Sequence, residues 1–150
     1  MIPLNLWELP APIKALYADC MEPVCHTYHI TRMELDILLF LANNPKYDTA
    51  AEIIEIRYLA KSHVSTSLKT LEAEGYIKKY YKPEDKRVLH LSICSKAADL
   101  ISAGRQAQEN FLSIMLDGFQ PEERKLLKEC HFRIQHNINL YFKETKKDAL

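Results

Sequence analysis

Ser62, His63, Ser65, Thr66 and Lys69 set short hydroxyls, an imidazole and an ammonium along one stretch, and Lys82, Asp85, Lys86 and Arg87 form a second polar group further on. Short hydroxyl side chains suit close approach to phosphate oxygens and base edges, and a lysine such as Lys69, Lys82 or Lys86 is most simply a backbone-phosphate contact. Arg87 offers something different, because a guanidinium can enter a narrow A·T-rich minor groove where negative potential is concentrated. Asp85, two residues before it, would hold that guanidinium through a bidentate pair and fix its direction. Two plainer readings stand beside these. Ser62 could serve only as a helix cap with solvated neighbours, and Asp85 with Arg87 could be a turn salt bridge worth well under ~1 kcal/mol. No residue of the first group is a guanine-reading arginine, so the bases contacted are not legible.

Cys20, Cys25, His26 and His29 bring soft sulfur and imidazole into one segment, a donor set for zinc or copper or the start of a redox switch. The spacing is poor for either, since Cys20 and Cys25 on a continuous helix lie about 140° apart. A reactive thiol also needs a lowered pKa. Core thiols and surface imidazoles are the simpler assignment, and neither a metal nor another cofactor is expected. Cys130 and His131 point apart on a helix and read as packing and surface. The chain has no glycine-rich phosphate loop, nucleophile elbow or H-E-x-x-H, and its six histidines are scattered, so no catalytic site is expected and the chain does not read as an enzyme.

The elements that must position the polar groups follow from caps and periodicity. Thr49 caps a helix from Ala50 to about Arg57. Ser62 is the cap candidate for the next, which runs to Glu74 with Val64, Leu68 and Leu71 on its core face and its polar residues outward. Gly75 closes it in a left-handed conformation. Tyr76 to Tyr81 and Val88 to Ile93 pair as a hairpin, with Leu89, Leu91 and Ile93 alternating with His90 and Ser92. Lys82-Pro83-Glu84-Asp85-Lys86-Arg87 is then its basic tip. Helix, second helix and hairpin in that order form a winged helix-turn-helix, which sets a helix able to enter a major groove beside a tip that reaches neighbouring phosphates or the minor groove.

Upstream, Thr31 and Glu34 form a capping-box pattern opening an apolar helix through Leu35, Leu38, Leu39 and Leu41 that ends before Asn43-Asn44-Pro45. An earlier helix starts near Pro12 with Ile13, Leu16, Tyr17 and Cys20 at helical spacing, and Pro23 predicts a kink or stop around Met21-Glu22. Downstream, one helix runs from about Ser95 to Asp117 with Leu100, Ile101, Phe111, Leu112 and Met115 along one face. Another runs from Pro121 to about Lys143 with Leu127, Cys130, Ile134, Ile138, Tyr141 and Phe142, and Gly118 lies between the two. The fold class is mainly α with a small β-hairpin wing (α+β). Residues 1–150 make a single domain, with a winged-helix core over 31–94 and helical dimerisation regions over 1–30 and 95–150. A short winged helix cannot bury long amphipathic helices at both ends, so two copies pair, setting two recognition helices roughly 34–36 Å apart over a near-palindromic duplex.

Composition agrees with that plan. A chain of 150 residues buries roughly 70% of its unfolded surface and needs no disulfides, and the four cysteines lack a C-x-x-C pair. Met1-Ile2-Pro3-Leu4-Asn5 does not start a signal peptide, and no apolar run approaches ~18 residues, so a soluble cytoplasmic protein is expected. Net charge is zero, yet Lys61 to Arg87 holds seven basic residues against four acidic ones, a local +3 that suits one phosphate-facing surface.

Val64-Ser65-Thr66-Ser67-Leu68-Lys69-Thr70-Leu71-Glu72-Ala73-Glu74-Gly75-Tyr76-Ile77, followed by Asp85-Lys86-Arg87 as a D-x-R wing signature, resembles the MarR family of bacterial transcription regulators, and the likeness spans nearly the whole chain. Two positions depart from the family pattern. Ile93-Cys94-Ser95-Lys96-Ala97 stands where L-T-x-x-G is usual, with Ser95 expected to replace the threonine as a cap, and Lys82 replaces a frequent wing aspartate. The resemblance implies a homodimer on double-stranded DNA, acting as a repressor, with Asp85 paired to Arg87. It also implies an effector pocket where dimer helices meet the DNA-binding core, here involving Tyr17, Cys20 and Met21, which would accept a small apolar or phenolic molecule and shift the dimer spacing. A metal- or redox-responsive regulator, and a winged helix kept for protein contacts, are the competing readings.

Overall fold

Thr31 and Glu34 act reciprocally at the start of α2 (Arg32–Asn43): the threonine hydroxyl accepts from the Glu34 N–H at 3.2 Å, and the Glu34 carboxylate accepts from the Thr31 N–H at 2.8 Å. α3 (Ala50–Arg57) opens the same way. Thr49 accepts from the Glu52 N–H at 3.2 Å and Glu52 accepts from the Thr49 N–H at 3.0 Å, so the predicted Thr49 cap is half of a second capping box. α4 (Lys61–Ala73) differs. Its N-cap is Ala60, whose carbonyl accepts from the Val64 N–H at 3.1 Å, and no side chain caps it. The predicted Ser62 cap does not form, because the turn after α3 starts the helix two residues too early for that hydroxyl to reach the first amides. At the other end Gly75 takes φ +78°, the left-handed closure expected of it.

The structure, a computed structural model, describes residues 9–147, which fall in two units divided after Leu112. In the first unit α1 (Pro10–Tyr28) continues past Pro23 and does not stop around Met21-Glu22. Pro23 lies on the exposed face, as does Asp19, whose carbonyl loses its partner to the proline, so water can serve that carbonyl. Met21, Val24 and Cys25 on the opposite side are buried, and their packing holds the helix together to a left-handed end at His29. The core joins them to Leu35, Leu38 and Leu39 of α2, Ile53 of α3, and Val64, Leu68 and Leu71 of α4.

The hairpin pairs β1 (Ile77–Lys82) with β2 (Asp85–Ile93), antiparallel, from Ile77 opposite Ile93 to Tyr80 opposite His90, with an irregularity before Lys82 meets Asp85. The second strand therefore starts three residues earlier than its β-branched run predicts, because the turn is only Pro83-Glu84. Alternation also fails at one place: His90 is buried, and the backbone of Thr49 bridges to it as a third, one-residue strand.

A 3-10 turn (Ser95–Ala97) leads into α5 (Ala98–Met115), which lays Leu100, Ile101 and Ala107 on the core. Gly104 faces it too. A Cβ there would stand 2.8 Å from Leu39 Cδ2 and 3.2 Å from Leu35 Cδ1. Both leucines are buried, so their methyls cannot swing clear, and Gly104→Val is expected to cost about 1–3 kcal/mol despite the poor helix propensity of glycine. Denaturant unfolding checks this, and an unchanged midpoint would mean the α2 leucines repack without strain.

In the second unit the Gly118 turn (φ +79°) is tied by Arg124, which donates to the carbonyls of Leu116 at 2.9 Å and Phe119 at 3.2 Å. α6 (Pro121–Lys147) follows with Glu122 and Glu123 in its first turn. Its apolar stripe is present as predicted, but every described side chain from Pro121 to Thr145 is exposed, Leu127, Ile134, Ile138 and Phe142 included.

Candidate nucleic-acid interface

α4 sorts its residues by face. Val64, Leu68 and Leu71 enter the core, as their spacing predicts, and Ser67 is buried with them. Ser62, His63, Ser65, Thr66 and Lys69 are all exposed. With no side chain capping the helix, the amides of Lys61, Ser62 and His63 keep no intrahelical partner, and such a terminus attracts anions through both free N–H groups and the helix dipole. Thr66 is more constrained than a free hydroxyl. It donates to the Ser62 carbonyl at 2.9 Å, so toward a base it can only accept, and its methyl is the group left for apolar contact.

On the wing, Lys82, Lys86 and Arg87 are exposed and Asp85 half-buried. The predicted bidentate fork is absent. One Asp85 oxygen accepts both the Arg87 backbone N–H at 3.0 Å and Nε at 3.2 Å, while the Arg87 side chain is 92% exposed. An aspartate bonded to the backbone two residues on is too short to reach the terminal nitrogens as well. The guanidinium is thus steered at its base and keeps its outer edge open.

Asp48 carries no sequence signal as a site residue, yet it meets the hairpin at its root. Its carboxylate accepts from the Tyr80 hydroxyl at 3.1 Å and lies 3.0 Å from His90 Nδ1, and its carbonyl accepts from the Leu91 N–H at 2.7 Å. Tyr80 stacks on His90 across the strands, with ring centroids 5.3 Å apart. Partial burial works against the Asp48 charge. The hydrogen bonds from His90 and Tyr80, with the charges of His90 and Lys82, outweigh it and hold the carboxyl below its usual range, while the same contact pushes the Tyr80 phenol up. The sign follows: this contact is present at neutral pH and is lost only as pH falls through that depressed carboxyl pKa.

The three residues expected to form an effector pocket, Tyr17, Cys20 and Met21, follow one another at i, i+3 and i+4 along α1. Tyr17 lines a cleft of about 90 Å³ with Asp36, Asn43, Asn44, Arg57 and Gln108. Its hydroxyl accepts from Gln108 at 3.0 Å, and the Arg32 guanidinium lies 4.3 Å above its ring. Met21 is wholly buried in the core and Cys20 is half-buried, and neither lines that cleft. Nor do Cys20, Cys25, His26 and His29 converge: among the described residues no three His, Cys, Asp or Glu side chains are placed to hold one metal ion. Burial, with Glu22 nearby, pushes the Cys25 thiol up. Alkylation of the native protein by iodoacetamide at neutral pH is therefore expected to leave Cys25 unmodified, and fast labelling there, read by peptide mass spectrometry, would contradict its core placement.

Ser95 likewise is not a cap. It is the first residue of the 3-10 turn after Cys94, which has no side-chain cap, and the Cys94 N–H bonds the Tyr76 carbonyl at 2.9 Å, so backbone pairing sets where the turn begins.

A polar outward face on α4, joined through β1 to a basic hairpin tip, defines the class as a winged helix-turn-helix protein. A family model described as MarR family matches residues 29–88, and a helix-turn-helix-type transcriptional regulator of Bacillus subtilis (strain 168), YdgJ, itself uncharacterized, is 30% identical over 109 residues. That match covers 73% of this chain and 65% of the relative, so it spans just under two thirds of that protein. The fold agrees with a Listeria monocytogenes protein described as a MarR-family transcriptional regulator and solved with a 26-mer DNA, at a TM-score of 0.81, 19% identity, and coverage of 95% of this chain and 96% of that one. It agrees with MarR itself at 0.77 and 18% identity, over 96% of this chain and 97% of that one. Over residues 29–88 the chain is similar to the MarR family, and its fold is that of the solved MarR-family structures. Among its described residues no helix is long and apolar enough to cross a membrane.

Proposed function

We propose that the protein regulates transcription by binding a near-palindromic duplex as a homodimer, each copy setting α4 in a major groove and Arg87 in the adjoining minor groove. The observation that carries this is the α4 face: five polar residues outward, an uncapped N-terminus among them, and the core residues all inward. Hydroxyls and free amides at a helix start position the protein on phosphates, whereas the open edge of Arg87 suits a narrow groove. Support for pairing comes from α6, whose leucines, isoleucines and Phe142 are exposed along its length, which is far more apolar surface than a free helix keeps in water. The relative from Listeria was solved on DNA, which fits the same use of the fold.

Occupying a promoter in this way excludes polymerase, so repression is the direct consequence, in the compartment that holds the chromosome. Relief by a small effector belongs to the Tyr17 cleft in this scheme. Its volume of about 90 Å³ is well below an ordinary ligand pocket of roughly 300–1,000 Å³, so an effector must widen it and thereby move α1 against α2.

Selection of the purified protein on random duplex DNA, followed by anisotropy titration of the enriched site at several salt concentrations, tests this function. An inverted-repeat motif with a steep negative salt slope is expected. A dimer that enriches no sequence would refute DNA recognition and favour a winged helix used for protein contacts.

A further inference from the structure

Beyond Tyr80 the hairpin leaves the body of the first unit. From Tyr81 to Leu89 no side chain is buried, and Arg87 stands on this projecting part. His90 lies three residues from Arg87, about 10 Å along an extended strand, so a tilt of ~10° at the root moves the guanidinium by about 2 Å. That displacement would separate a groove contact from a solvated side chain. What sets the tilt is therefore as consequential for binding as Arg87 itself.

The root is held from outside the hairpin. Tyr80 and His90 are a cross-strand pair, and each strand's member reaches a different oxygen of one carboxylate, Oδ2 from Tyr80 and Oδ1 from His90. Asp48 is in turn fixed to the start of α3. Its N–H donates to the Glu52 carboxylate at 3.0 Å, beside the Thr49 capping box, and Thr49 makes the backbone bridge to His90. One side chain thus ties both strands to the helix-turn-helix at the last point where the hairpin touches it. The His90 side chain is 11% exposed and that of Asp48 34%, so water competes weakly on the histidine side. A surface ion pair would not need both strands, nor an aromatic stack closing over one of its partners.

We propose that Asp48, through Tyr80 and His90, is a positioning residue that fixes the angle of the wing and so delivers Arg87 to DNA. This rests on the wing being a DNA-contacting element, and the test separates the two. Affinity and salt slope are measured by anisotropy on the enriched duplex for the wild type, Arg87→Ala, Asp48→Ala, Tyr80→Phe and the Asp48→Ala/Arg87→Ala double variant. Asp48→Ala is expected to weaken binding about 3- to 10-fold and Tyr80→Phe, which removes one exposed hydroxyl and keeps the stack, about 2- to 3-fold. Asp48→Ala should also flatten the salt slope by about one phosphate contact, roughly 0.9, as Arg87→Ala does, and cost little more once Arg87 is gone. A merely destabilised protein would lose active fraction and leave the slope alone. If Arg87→Ala weakens binding while Asp48→Ala and Tyr80→Phe do not, or if the Asp48 loss adds in full to the Arg87 loss with an unchanged slope, the positioning role is overturned and the wing contact survives. Wild-type binding by Arg87→Ala overturns both.

Discussion

Leu127→Glu combined with Ile134→Glu is expected to turn the proposed homodimer into a monomer and to lower operator affinity by on the order of 100-fold or more. The two positions lie seven residues apart on one face of α6, 45% and 49% exposed in the single chain, together with Ile138. Covering such side chains in a partner contributes about 1.5–3 kcal/mol each, and a two-fold interface contains every substitution twice. Buried glutamates would add an unpaired charge at each place. A monomer binds one half-site with no help from a tethered second, which is the source of the large loss. Light scattering after size exclusion gives the mass, and anisotropy on the enriched duplex gives the affinity. Retention of a dimer with full affinity would place the interface elsewhere than on α6.

Arg87→Ala is expected to cost about 1–3 kcal/mol of operator affinity and to reduce the salt slope by roughly 0.9. The guanidinium is 92% exposed and is held only at Nε and at its own backbone amide, so nothing in the fold depends on its outer nitrogens. Thermal stability should therefore hardly move while binding falls. Arg87→Lys is not expected to restore affinity, because a lysine has no Nε for Asp85 to steer and no planar edge to present. Full binding by the alanine variant would mean that the wing stands clear of the duplex.

What could be read in the sequence was what neighbours along the chain decide. Thr31 with Glu34, Thr49, Gly75 and the Val64, Leu68, Leu71 spacing each act within one or two turns, and each is where its residue type predicts. The misses are places where a distant residue overrides a local preference. Pro23 should kink or stop α1, and the burial of Met21, Val24 and Cys25 carries the helix past it. Ser62 and Ser95 have the right chemistry for caps, yet the preceding turn and the Cys94–Tyr76 backbone bond start their elements before those hydroxyls can act.

The candidate site divides in the same way. The outward residues of α4 follow from its inward ones, so they were legible. Asp48 and His90 are 42 residues apart, and only the folded hairpin brings them together. Tyr17 meets Gln108 across 91 residues, which is why the cleft beside it has walls that the sequence around Tyr17 could not name.

Paired recognition helices on DNA are tested most directly by hydroxyl-radical footprinting of the enriched duplex with the wild-type protein. Two protected patches related by the centre of the inverted repeat, with their midpoints about 10–10.5 base pairs apart, are the predicted result. A single patch on one half-site, or uniform weak protection without a centre of symmetry, would contradict it.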